Sequence, residues 1–238
     1  IVSNNQKIKI NRILEEFKNR DKLQAYGLSN RRKILLEGAP GTGKTFTASV
    51  IASELGVPLF VVQMDKIVTK FMGETSAKLR LVFEDIKKNI GVYFFDEFDA
   101  IGANRSLDNE VGEARRILNS FLQFIEQDDS NSIIVAATNN HRLLDQALFR
   151  RFDDVIHYAM PKEEEIKVIF EKKLVSKYYK GKINKSLIDA AIGLSQAEVI
   201  NACDDCFKSA ILYDRCFNEH DLITILNEKN IYSMGMEA

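Results

Sequence analysis

Long apolar runs are missing from this 238-residue chain: none approaches the ~20 consecutive apolar positions that a membrane helix needs, so no membrane-spanning segment is expected. The opening residues, Ile1-Val2-Ser3-Asn4-Asn5-Gln6, lack the layout of a secretory signal, so a cytoplasmic setting is expected. Because the first residue is Ile rather than Met, the chain reads as a fragment whose natural N-terminal part is missing. Cysteine is scarce: Cys203, Cys206 and Cys216 are odd in number and clustered, which argues against a disulfide scaffold and for a reducing compartment. With His220 they spell C-x2-C-x9-C-x3-H, superficially a zinc pattern, but the first two lie in an apolar helical repeat where Cys usually serves as a small buried hydrophobe. Net charge is also nearly absent, at −1, so no global pull toward nucleic acid or anionic lipid is expected, although a local basic patch is compatible with it. Internal repeats and low-complexity stretches are lacking as well.

What is present is the mix of a soluble globular protein, with 45% hydrophobic and 28% charged residues. Apolar periodicity predicts an amphipathic helix over 6–26, then strands at 33–37, 58–63, 92–96, 132–138 and 154–158. Helices at about 44–55, 74–88 and 110–127 fall between them. This alternation implies an α/β fold, a doubly wound parallel sheet of about five strands. After Met160-Pro161 only helical patterns remain, at 162–177, 184–192, 196–213 and 219–228. The expected organisation is an α/β domain over 1–159 and a smaller C-terminal helical domain over 160–238.

Between the first strand and the helix that follows it stands Gly38-Ala39-Pro40-Gly41-Thr42-Gly43-Lys44-Thr45, which satisfies G-x-x-x-x-G-K-[ST] in the context that motif requires. Glycines let the backbone turn its N–H groups toward phosphate oxygens, and the helix N-terminus adds its positive end. Lys44 is expected to reach the β- and γ-phosphates of ATP, with the Thr45 hydroxyl on Mg²⁺; Phe46, in the first turn, completes the cofactor-binding set. The apolar strand Val92-Tyr93-Phe94-Phe95 delivers Asp96 and Glu97 at its C-terminal end, where open α/β sheets bind ligands. Asp96 is expected to hold Mg²⁺ and Glu97 to polarise the attacking water as general base.

Together these features resemble the AAA+ ATPases, and the resemblance covers nearly the whole chain. It implies that Asn139, after the fourth strand, occupies the sensor-1 position and orients the attacking water. The segment Leu144-Asp145-Gln146-Ala147-Leu148-Phe149-Arg150-Arg151-Phe152-Asp153 is similar to the second region of homology. There, paired arginines reach the ATP of a neighbouring subunit, which suits a permanently charged guanidinium that forks onto phosphate oxygens. Lys70-Phe71-Met72-Gly73-Glu74 matches the first pore loop, so Phe71 and Met72 are implied to grip an extended polypeptide.

There are departures. Gly193-Leu194-Ser195-Gln196-Ala197-Glu198 stands where relatives carry a Ser-Gly-Ala-Asp-like turn, and no arginine resembles a second sensor. With no Ile-Gly-Gly segment before the glycine loop, Tyr26-Gly27-Leu28 is the candidate adenine wall. No His-Glu-x-x-His occurs, which excludes a fused metalloprotease of the membrane-anchored kind.

The resemblance implies an ATP-hydrolysing ring, a homo-hexamer assembled on ATP binding, that remodels, unfolds or disassembles protein substrates, with a separate protease or an adaptor as a further partner. The alternative expectation is a nucleotide-switched scaffold or DNA-associated ATPase. Near-neutral charge argues mildly against strong nucleic-acid binding.

Overall fold

Five strands, β1 (Lys33–Gly38), β2 (Leu59–Gln63), β3 (Val92–Asp96), β4 (Ile133–Thr138) and β5 (Asp154–Tyr158), form one sheet in the order β2-β3-β4-β1-β5, and every pairing is parallel. They are seen in a computed structural model that describes residues 3–68, 72–96, 108–139 and 149–235. Ten helices are described: α1 (Asn4–Lys18), α2 (Arg20–Ala25), α3 (Lys44–Leu55), α4 (Met64–Ile67), α5 (Met72–Lys88), α6 (Asp108–Gln127), α7 (Glu163–Lys173), α8 (Lys185–Ala190), α9 (Gln196–Leu212) and α10 (Glu219–Gly235). The chain divides into two compact units, one of Val2–Gly38 with Lys44–Tyr158, the other of Ala39–Gly43 with Ala159–Ala238.

A parallel sheet is covered on both faces, so its central strands read as continuous apolar runs rather than as alternation. Here the alternation survives in which core each residue enters. Ile34, Leu36, Val92, Phe94, Ile133 and Val135 join α1 and α3 on one side. Leu35, Tyr93, Phe95, Ile134 and Ala136 join α5 and α6 on the other. Within the second core Phe95 meets the Phe121 ring edge-on at 5.0 Å, and Phe83 stacks on Phe124 at 5.3 Å. Helix α3 contributes Thr47, Ala48, Ile51 and Ala52, one face at helical spacing.

The expected helix over 6–26 is two helices. Asn19, between them, leaves helical backbone at φ −108, ψ 19, and the Glu15 carbonyl accepts both its backbone N–H at 3.1 Å and its side-chain amide at 2.8 Å, closing the end of α1. The start of α1 also guards the sheet. β5 is an edge strand, and its outward carbonyls at Val155 and His157 receive Lys9 Nζ (2.6 Å) and Gln6 Nε2 (2.6 Å). Asp154 Oδ1 accepts both Lys9 Nζ and the Val155 N–H, each at 2.8 Å. Side chains from one helix thus occupy main-chain groups that an exposed edge would offer to another strand.

Just before β1, Arg32 bridges Asp128, whose side chain is fully buried, donating to its Oδ2 and to its backbone carbonyl; Ser130 Oγ adds a bond of 3.0 Å. Breaking one partner of a buried pair strands the other charge, at a cost of about 3–5 kcal/mol. Asp128→Ala is therefore expected to lower stability by about that amount in denaturant unfolding, whereas the exposed pair Lys87–Asp129 (2.8 Å) should tolerate Asp129→Ala with little change.

In the helical unit, α7 to α10 enclose Ile166, Phe170, Leu187, Leu194, Val199, Cys203 and Leu222 among others. Ser195 and Glu198 close a reciprocal capping box on α9, and Asn184 caps α8 through the Leu187 N–H at 2.9 Å. Cys203 and Cys206 are buried there, and burial pushes their thiols up to about 12 and about 11, so they stay protonated and behave as hydrophobes. Cys216 is exposed, and among the described residues no group of three metal-ligating side chains forms. Helix α10 runs on to Gly235, beyond the expected 228, and the short α4 lies where the sequence pattern signals no helix.

Candidate active site

The site is built at the C-terminal end of β1, the strand from which the chain enters the glycine loop. Gly38, its last residue, lies against β5: a Cβ there would collide with the Tyr158 carbonyl, and its φ is +153, so only glycine fits. Beyond it, Gly41 (φ +73) and Gly43 (φ +105) take left-handed backbone, the conformation that lets successive N–H groups converge on an anion. Thr42, buried, ties the loop by donating from Oγ1 to the Ala39 carbonyl at 2.7 Å. The Gly41 carbonyl accepts the Ala197 N–H at 3.0 Å, and a Cβ on Gly41 would fall 2.5 Å from Ser195 Oγ. The Gly193 to Glu198 turn, noted above as a departure, thus supplies a main-chain donor to the glycine loop.

Lys44 opens α3 and is 7% exposed, rare for a lysine and tolerable only because its ammonium is hydrogen-bonded. Its Nζ donates to the Gly38 carbonyl at 2.6 Å and to Asn139 Oδ1 at 2.8 Å. The fold therefore brings together the loop lysine and the residue after β4, 95 positions apart in the chain. Asp96 ends β3 on the same edge of the sheet, half-buried, and Thr45 and Phe46 are exposed at the start of α3. Helix α3 is held to β5 by a 2.5 Å hydrogen bond between the Thr47 and Tyr158 hydroxyls, and burial raises the Tyr158 phenol.

Of the arginines, Arg151 pairs through Nε with Glu126 Oε1 at 3.1 Å, whereas Arg150 is exposed and has no ion-pair partner among the described residues. Glu97, Phe71 and the stretch from Asn140 to Leu148 lie outside the described residues; of Met72 only the backbone, at the start of α5, is described. In the expected adenine wall Tyr26 is 78% and Leu28 59% exposed, so both are open to solvent.

One pair has no counterpart in the sequence reading. Glu37, 9% exposed and one residue before Gly38, has Oε2 at 2.8 Å from His157 Nδ1. A carboxylate closing an apolar strand is the available signal, but its partner is visible only through the β1–β5 register, which sets Glu37 beside His157.

A parallel sheet whose first strand feeds a left-handed glycine loop and a buried lysine defines a P-loop nucleotide-binding ATPase. The chain belongs to the ATPase family associated with various cellular activities (AAA), whose family model matches residues 34–160. It is 38% identical to an uncharacterized AAA family ATPase of Sinorhizobium fredii, over 85% of this chain and 61% of the relative. It is 34% identical to a proteasome-activating nucleotidase of Sulfurisphaera tokodaii, over 94% of this chain and 60% of that protein. Against an ATP-dependent zinc metalloprotease FtsH of Mesoplasma florum the identity is 35%, over 81% of this chain and 30% of the relative. The matches thus span from 30% to 61% of the length of these relatives. Among the described residues no helix is long and apolar enough to cross a membrane.

The residues present fit MgATP. Magnesium prefers oxygen ligands and keeps several waters, and the Thr45 hydroxyl and Asp96 carboxylate are oxygen donors of that kind. The glycine loop has the left-handed backbone that an anion nest needs, and Lys44 follows it directly in the chain.

Proposed function

We propose that this chain is the motor domain of a ring-forming AAA+ ATPase that couples MgATP hydrolysis to remodelling of protein substrates. The observation that carries the reading is the buried Lys44 ammonium, directly after the glycine loop in the chain and held 2.8 Å from Asn139. In the nucleotide-bound state Lys44 exchanges its carbonyl and carboxamide acceptors for β- and γ-phosphate oxygens. That exchange lets Asn139 turn to the attacking water. Thr45 and Asp96 would hold the magnesium ion, which supplies charge neutralisation on the phosphates. Glu97, directly after Asp96, takes the proton of the water as general base.

Hydrolysis across a subunit boundary needs an arginine that its own subunit leaves available. Arg151 is engaged by Glu126, and this supports Arg150 as the residue that reaches the neighbour's ATP, with Arg151 bracing it. Such a composite site requires a closed ring, proposed as a homo-hexamer. The proteasome-activating nucleotidase named among the relatives supports a separate protease as a partner, and a cytoplasmic setting goes with that reading.

Phe71 and Met72 are the proposed substrate grip. Phe71→Ala is expected to leave ATP turnover within about twofold of the parent while unfolding of a degron-tagged fluorescent protein falls by more than about tenfold, since the lost contact is to polypeptide and not to phosphate. Parallel loss of both activities would remove Phe71 from the grip and return it to the core.

A further inference from the structure

The near-zero net charge conceals a strongly basic segment. Residues 172–185, Lys172-Lys173-Leu174-Val175-Ser176-Lys177-Tyr178-Tyr179-Lys180-Gly181-Lys182-Ile183-Asn184-Lys185, hold six lysines and no acidic residue. They contribute +6 to a chain whose total is −1, which leaves −7 for everything else. Lys172, Lys177, Lys180, Lys182 and Lys185 are exposed and form no ion pair among the described residues; only Lys173 is paired, with Asp204 at 2.9 Å. Lysines of a stable solvated surface are usually interspersed with acids. Two acids lie close by: Glu171, just before the segment, faces Lys167 at 3.9 Å, and Glu219, which keeps its charge, accepts the Lys182 backbone N–H at 3.3 Å, so the six lysines still outnumber the acids beside them.

The segment is ordered, so its charges are presented and not merely trailing. The Lys180 N–H donates to the Phe217 carbonyl and the Phe217 N–H to the Tyr178 carbonyl, each at 2.9 Å. Tyr179 packs on Phe217 with ring centroids 5.3 Å apart and donates its hydroxyl to the Lys182 carbonyl at 3.1 Å. Burial, with the nearby Glu219 carboxylate adding to it, pushes the Tyr179 phenol up to about 12. Beside them Val175 stands 83% exposed, an apolar contact inside a cationic surround.

We propose that this segment is a docking surface for a short acidic polypeptide. Three features select that partner over nucleic acid. All the cations are lysines, point charges on flexible stems, with none of the guanidinium forks that read phosphates and bases bidentately. Both tyrosines are partly buried against the apolar cluster, and their rings are already engaged, Tyr178 under Lys177 Nζ at 5.0 Å and Tyr179 on Phe217, so neither is an open platform on which bases stack. Outside the segment, residues 159–238 hold thirteen acidic side chains against five lysines and arginines, which disfavours a long polyanion, whereas a short acidic segment, engaged within a Debye length of about 8–10 Å, meets mainly the lysines. The segment shares no residue with the nucleotide site, so peptide binding is independent of the ATPase reading.

The test is fluorescence anisotropy of a labelled oligoglutamate peptide on the 238-residue chain, beside single- and double-stranded DNA of equal charge and phosphatidylserine vesicles, at two salt concentrations. Oligoglutamate is expected to bind most tightly of these probes and to weaken as salt rises. The triple substitution Lys177→Glu, Lys180→Glu, Lys185→Glu should weaken it by about tenfold or more, each exposed charge contributing a modest amount. Its thermal midpoint and nucleotide affinity should match the parent, since Lys185 opens α8, where a carboxylate is tolerated; the matching Gln triple gives a smaller loss in the same direction. No oligoglutamate binding, equal binding by the triple variant, or tighter binding of DNA or vesicles each overturns the proposal.

Discussion

Lys44→Ala is expected to lose at least about a hundredfold in affinity for MgATP while remaining folded. In the proposed site the lysine would contact two phosphate groups through charge-assisted hydrogen bonds, each contributing about 1.5–3 kcal/mol, and the loop sequence offers no second cation that could take its place. The loss should appear in isothermal titration with ATP and with ADP alike, larger for ATP because the γ-phosphate contact is added. Folding should survive because the side chain's present acceptors, the Gly38 carbonyl and Asn139, are polar groups at the end of the sheet that water can reach once the ammonium is gone. Unchanged ATP affinity would show that the glycine loop is not the phosphate cradle, and the motor reading would fall with it.

Glu97→Gln is expected to behave in the opposite way. The amide keeps the shape and hydrogen-bonding reach of the carboxylate but cannot accept a proton, so MgATP binds as in the parent and turnover drops by about 10²–10⁴-fold, the range that a positioned general base contributes. Trapped in the ATP state, the variant should also accumulate as the assembled ring in analytical ultracentrifugation. Turnover close to the parental rate would move the base elsewhere on the same sheet edge.

The two substitutions separate binding from chemistry because they fall in different segments, the first at the start of α3 after the glycine loop and the second directly after β3 in the chain. That separation is legible in the sequence. Gly38 to Thr45 is a local motif, and its function depends on backbone turns that the glycines themselves permit. The strands are legible for a related reason: with both faces covered, stretches such as 92–95 and 133–137 are apolar at every position, and their lengths suit strands rather than helices. The pattern over 6–26 misleads at one point, since one residue leaving helical backbone, Asn19 at φ −108, ψ 19, leaves no mark on apolar periodicity. Cys203 and Cys206 show the converse, two letters of a zinc-like spacing that burial on α9 turns into packing, while Cys216, the third, lies beyond that helix and is exposed.

Arg150 and Arg151 are adjacent and chemically identical, so nothing in the sequence distinguishes them. Glu126, near the end of α6, does: it engages one and leaves the other exposed. Edge protection is similar, for Gln6 and Lys9 look like ordinary polar positions on an amphipathic helix until β5 places its outward carbonyls beneath them. The lysines of 172–185 are in plain view as letters, yet whether they form a presented surface depends on the anchoring of Tyr178 and Tyr179 against Phe217.

By itself the sequence determined the five strands, most of the helices between and after them, the glycine loop and the acidic strand end, because each depends on neighbours within a few residues and on the burial of whole faces. The tertiary structure alone decided which distant groups meet: Lys44 with Asn139, Glu37 with His157, Arg32 with Asp128, Arg151 with Glu126. Those meetings follow from strand order and register, which are properties of the assembled sheet, and no local propensity encodes them.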